Sequence, residues 1–117
     1  MKIYKGKYTS SSDQVATYKD GKIYRGRYTS SSDQVGTMGA DGKIYRGKYT
    51  SSSDQVGTYK DGKIYRGKYT SSSDQVGTIG TDGKIYRGKY TSSSDQIGVA
   101  EGGFATAAAG AAFLLLL

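Results

Sequence analysis

DQVATYKDGKIYRGRY, residues 13–28, is the stretch whose reading decides the fold. Two β-prone runs flank Asp20-Gly21, and Asp-Gly between such runs is a strong signal for a two-residue hairpin. Pairing across the turn sets Lys19 opposite Lys22, Tyr18 opposite Ile23, Thr17 opposite Tyr24, Ala16 opposite Arg25 and Val15 opposite Gly26. Alternation then sorts two faces. One holds Val15, Thr17, Tyr24, Gly26 and Tyr28; the other holds Gln14, Ala16, Tyr18, Ile23, Arg25 and Arg27. The first has no charge in its middle and is expected to face inward.

The same stretch recurs along the chain. Five units of 20–21 residues carry the KIYRG pattern, with Ile3, Ile23, Ile44, Ile64 and Ile85 spaced 20, 21, 20 and 21 apart. The extra residue falls just before an Asp-Gly pair. Short periods of this kind mark solenoids, propellers or related arrays. The Tyr-Thr-Ser-Ser-Ser segments join one hairpin to the next, and their hydroxyls suit local bonds to backbone. The first unit opens on the second strand of a hairpin, and the last closes on a first strand, Asp95–Val99. Those two strands can pair. An open stack would leave unpaired edges, so the pattern predicts a ring.

Residues 104–117, FATAAAGAAFLLLL, share nothing with the repeats and read as a short Ala-rich helix after Gly102-Gly103. A helix apolar all round is a buried helix, and this one is shorter than the roughly 20 residues of a membrane span. The expected fold is all-β with one helix: a closed ten-stranded antiparallel barrel of five β-hairpin repeats around a buried C-terminal helix. Residues 1–103 form the barrel and 104–117 fill it, within one domain. Gly6, Gly26, Gly47, Gly67 and Gly88 are expected to ring the closest approach of strand and helix.

Hairpins of the KIYRG…SSD…DG kind closing into a shallow barrel resemble the bacterial β-flower proteins, here in a five-petal form. The apolar C-terminal helix is similar to that of the tubby C-terminal domain, a barrel around a hydrophobic helix. The resemblance implies a closed barrel and an association with lipid. No tubby lipid-site motif can be matched, so no residue role carries over.

Composition narrows the chemistry. The chain has no Cys, His, Pro or Trp, which removes disulfides, the usual transition-metal ligands and the commonest general base. The Ser-Ser-Ser-Asp segments have no activating base, and one Asp per loop falls short of a calcium site. We expect no enzyme, no catalytic or metal residues and no cofactor. Seventeen Lys and Arg against ten acids give +7, which favours anionic partners.

Each unit places two cations two residues apart: Lys5 and Lys7, Arg25 and Arg27, Arg46 and Lys48, Arg66 and Lys68, Arg87 and Lys89. These ten are the candidate site residues, expected on a basic outer face that adheres to anionic membrane lipid. The plainer reading is a solvated surface. A structural or protein-interaction repeat module and a single-stranded nucleic-acid binder are the alternatives. The last is disfavoured because Tyr24 and Tyr28 fall on the face expected inward. With no secretory signal ahead of the repeat at residue 2, the expectation is a cytoplasmic monomer, peripheral at the inner membrane face when bound to lipid.

Overall fold

The computed structural model describes residues 1–80 and 82–117; Thr81, the extra residue of the fourth unit, lies outside them. The strands are β1 (Lys2–Lys5), β2 (Gln14–Lys19), β3 (Lys22–Arg25), β4 (Gln34–Met38) and β5 (Lys43–Arg46). They continue with β6 (Gln55–Lys60), β7 (Lys63–Arg66), β8 (Gln75–Ile79), β9 (Lys84–Arg87) and β10 (Gln96–Ala100), before α1 (Phe104–Leu115). Each strand pairs antiparallel with its sequence neighbours, and β10 returns to β1, so the sheet is a closed barrel of ten strands. The expected cross-turn register holds from Ala16↔Arg25 to Lys19↔Lys22.

Closure rests on specific pairs. Ile3 faces Ala100, Tyr4 faces Val99 and Lys5 faces Gly98. Elsewhere a Gln-Thr relay links neighbouring strands: Gln34 Nε2 donates to Thr37 Oγ1, which donates to Gly47 O. The fifth unit has Val99 in place of that threonine. There Gln96 Nε2 reaches Gly6 O itself, and the Tyr4 hydroxyl donates to Glu101 Oε2 at 3.0 Å across the seam. Burial first, then the hydrogen bond to Glu101 and its negative charge, raise the Tyr4 pKa above the ordinary phenol value.

The strands are shorter than the sequence implies. In place of KIYRGKY, each second strand ends at the cation just before its glycine, because that glycine has a positive φ: +90° at Gly6, +88° at Gly26 and +87° at Gly47. That bend carries the chain into a short 3-10 turn, Ser31–Asp33 in the second unit. The barrel is correspondingly shallow, 35 × 34 × 18 Å overall. A twelve-residue helix is about 18 Å long at 1.5 Å per residue, so α1 matches the short dimension.

The inward face is the reverse of the one expected. Ile3, Ile23, Ile44, Ile64 and Ile85 are fully buried in one core with Ala16 and the helix alanines. Thr17 and Tyr24 lie on the opposite face of the sheet, and Tyr28 is 75% exposed. Charge on the Ile-Arg face argues against burial only where a strand is long. In a four-residue strand the arginine two positions beyond the isoleucine already stands at the rim. Val15 keeps its inward role by a different route. The β1–β2 register steps from Ile3↔Ala16 to Tyr4↔Gln14 and leaves Val15 without a partner, and this bulge lets both Val15 and Ala16 pack on the core.

Burial along α1 runs unbroken from Thr106 to Ala112, as its all-round apolar sequence predicts. The glycines that approach it are not those expected. A Cβ on Gly6, Gly26, Gly47, Gly67 or Gly88 would meet nothing within 4 Å. The close ring is Gly36, Gly57, Gly77 and Gly98, with Ala16 in the corresponding place of the first unit. Four consecutive leucines meet the four glycines one by one: Leu114 at Gly98, Leu115 at Gly77, Leu116 at Gly57 and Leu117 at Gly36. Phe113 turns to Arg25, the register partner of Ala16 in the first unit, its ring centroid 5.2 Å from the guanidinium. Five successive side chains, the last two beyond the end of α1, are thereby shared among the five units.

These two rings of glycine respond differently to substitution. A Cβ at Gly57 would press on Leu116 and come within 2.8 Å of Tyr65 O, so Gly57→Ala is expected to destabilise by about 1–3 kcal/mol through overpacking. At Gly47 the space is open and only the positive φ is strained, costing about 1–2 kcal/mol for Gly47→Ala. Enlarging the side chain to Gly47→Leu should add little there, whereas Gly57→Leu should abolish cooperative unfolding. Urea midpoints of the four variants check this ordering.

Candidate anion-binding face

The two ends of the barrel differ chemically. Hairpin turns such as Asp20-Gly21 gather at one end, where Gly21 and Gly42 lie near Ala105 and Ala108 of the helix start. The Gly-Lys-Tyr-Thr-Ser loops gather at the other, around the carboxyl end of α1. That loop end holds all ten candidate cations, against Asp13, Asp33, Asp54, Asp74 and Asp95. The turn end holds the other seven lysines against five acids. Its exposed pairs Lys43–Asp41 (3.4 Å) and Lys84–Asp82 (3.3 Å) are of the weak surface kind.

The ten cations do not form the single outer face expected of them. They divide into two concentric rings. Lys5, Arg25, Arg46, Arg66 and Arg87 lie opposite Gly98, Ala16, Gly36, Gly57 and Gly77 in the register. They therefore share the inward side with the residues that approach the helix, while their heads remain exposed at the rim. Lys7, Arg27, Lys48, Lys68 and Lys89 come after the positive-φ glycine and sit in the loops, exposed. The bend at glycine breaks the alternation that would have put both members of a pair on one side. Arg27 folds down so that its Nη2 donates to Ser11 O at 2.6 Å.

The inner ring surrounds the negative end of a helix dipole. Arg46 Nη2 donates to Leu116 O at 2.9 Å, satisfying a carbonyl that the helix itself leaves free. Arg25 lies over Phe113, an attraction of guanidinium for a ring face. Between units five, one and two the rim opens into a recess of about 650 Å³. Lys5, Arg25 and Arg87 stand at its edge, with Phe113, Leu114 and Leu117 among its apolar lining.

Sequence reasoning missed the outermost feature. Tyr8, Tyr28, Tyr49, Tyr69 and Tyr90 are 73–75% exposed, one per loop, each next to an outer-ring cation. Alternation alone puts Tyr28 inward, so its exposure removes half the ground against base stacking, while Tyr24 is buried. The signal available was the glycine two residues before each of these tyrosines, which interrupts the strand. Among the described residues, no group of three His, Cys, Asp or Glu is placed to hold a metal ion, and no helix is long and apolar enough to cross a membrane.

A family model described as "6-fold beta flower protein" matches residues 3–113, nearly the whole chain. The chain belongs to that beta flower family. Searches of the curated proteins and of the solved structures returned no match. The family description is six-fold, whereas this beta flower closes with ten strands in five sequence repeats. The beta flower family is not a known enzyme family.

Arg46→Ala removes the contact between sheet rim and helix end and is expected to cost about 1–2 kcal/mol in a urea melt. Arg66→Ala, at the same rim but with no such bond to the helix among the described residues, should cost less than half as much.

Proposed function

We propose that this chain is a non-enzymatic, five-petal beta flower that docks its loop end on anionic membrane lipid, as a monomer peripheral to the cytoplasmic face. The observation that carries this reading is the segregation of charge: ten cations and five exposed tyrosines on one end, against five aspartates. Each basic residue held near an anionic surface contributes about 1 kcal/mol, falling off within a Debye length. Exposed tyrosines suit the headgroup level, where a ring with a polar tip meets both phases. The flat shape, 35 × 34 Å across, lets all five loops touch one surface together, so weak contacts add by multivalency. The likeness to the tubby domain, a barrel around a hydrophobic helix, points in the same direction.

Co-sedimentation with vesicles tests it. The protein should pellet with phosphatidylcholine vesicles containing phosphatidylserine, not with phosphatidylcholine alone, and should be released by high salt. Replacing Lys7, Arg27, Lys48, Lys68 and Lys89 together with Gln should abolish pelleting while the circular dichroism stays unchanged. No pelleting with the anionic vesicles at low salt contradicts the proposal. Salt-sensitive binding to single-stranded oligonucleotides in place of vesicles also contradicts it, and would assign the cation–tyrosine loops to base stacking.

A further inference from the structure

We infer that the recess between units five, one and two is a binding site for one anionic amphiphile, an alkyl chain with a carboxylate or phosphate head. Its geometry differs from that of the docking surface. Docking uses an exposed ring, whereas the recess is concave, and its volume of about 650 Å³ falls in the usual range for small-molecule sites.

Three observations point to this ligand chemistry. Lys5, Arg25 and Arg87 reach the recess from three different strands, and among the described residues none of them is ion-paired with a carboxylate. Three cations at one rim without a carboxylate partner favour a single anionic head, which guanidinium forks can hold by paired, charge-assisted bonds. Behind them the lining is hydrocarbon and aromatic: Phe113, Leu114, Leu117, Val15 and Ile97. An inorganic anion would leave that lining wet, and a neutral alkane would leave the cations unused. An alkyl anion satisfies both.

The sequence marks the same place independently. Units repeat nearly verbatim through KIYRG and DQV, and within those segments the chain departs from its own pattern twice, at Lys5 and at Ile97. Both residues line the recess. Lysine in place of arginine sets a compact charge on a flexible stem at the edge, and isoleucine in place of valine adds one methylene to the wall. A fully symmetric ring would offer five equivalent clefts; both of these departures fall at this recess.

Titration calorimetry with decanoate, kept below its aggregation concentration, tests the site on the intact protein. Decanoate should bind with one-to-one stoichiometry, and decyl phosphate serves as the second head group. Decanol and acetate, which each lack one half of the chemistry, should bind at least about tenfold more weakly, the loss expected for one charge-assisted contact or a buried chain. Lys5→Gln combined with Arg87→Gln should weaken decanoate by about tenfold or more, and Arg66→Gln, on the same ring outside the recess, should leave it unchanged. The five-fold loop variant that loses vesicle binding should still bind decanoate, which separates this site from the docking surface. Equal binding of acetate, an equal loss in Arg66→Gln, or no heat with either alkyl anion overturns the inference.

Discussion

The close approach of a thin helix to a ring of glycines is the contact on which the rest of this structure depends. A chain that is 35% hydrophobic, with twelve tyrosines and no tryptophan, has little aliphatic material for a core. Five isoleucines from the sheet and a rod of alanines from the tail supply it. The rod must be narrow in its middle, where Ala107 to Ala112 pass between isoleucines, and it is: Gly110 already brings its backbone close to Ile85 and Ile3. Toward the loop end, where four of the five units place glycine opposite it, the rod widens into phenylalanine and leucine. Side-chain volume is thus exchanged between sheet and helix layer by layer, as interior packing at crystal-like density requires.

Symmetry and its breaking divide the labour. A five-fold sheet cannot be matched by a helix with 3.6 residues per turn, yet consecutive residues Phe113 to Leu117 allot one side chain to each unit. The cost of that compromise is unevenness at the rim. One sector opens into a recess, and the first unit alone carries alanine where the others carry glycine. The seam between β1 and β10 is uneven too, held by a tyrosine–glutamate bond and a glutamine reaching backbone, where the other joints use a threonine relay. Near-identity of the repeats therefore does not imply identity of their environments.

Much of this was legible from the chain. The repeat, the Asp-Gly hairpins, closure through the first and last strands and burial of the tail all follow from residues that have few alternatives. The choice of inward face was not legible by the rule applied. Alternation treats a strand as long enough for a charge in it to be buried, and that premise fails when Gly26, at φ +88°, ends the strand one residue after Arg25. The same glycine explains why the predicted close ring was displaced. Gly26 is needed for a bend, while Gly36 is needed for space, and sequence alone shows only that both are glycine. The cation pairs are visible in the repeat, but their partition into a rim ring and a loop ring is a consequence of that bend.

Amide hydrogen exchange across residues 107–112 tests the central claim most directly. A helix threaded through the hoop can open only when the barrel opens, so these amides should exchange as slowly as those of Ile23, Ile44 and Ile64, by global unfolding. Exchange at the rate of a fraying terminus, while the strand isoleucines stay protected, would show that the helix does not hold the sheet together and would contradict the account.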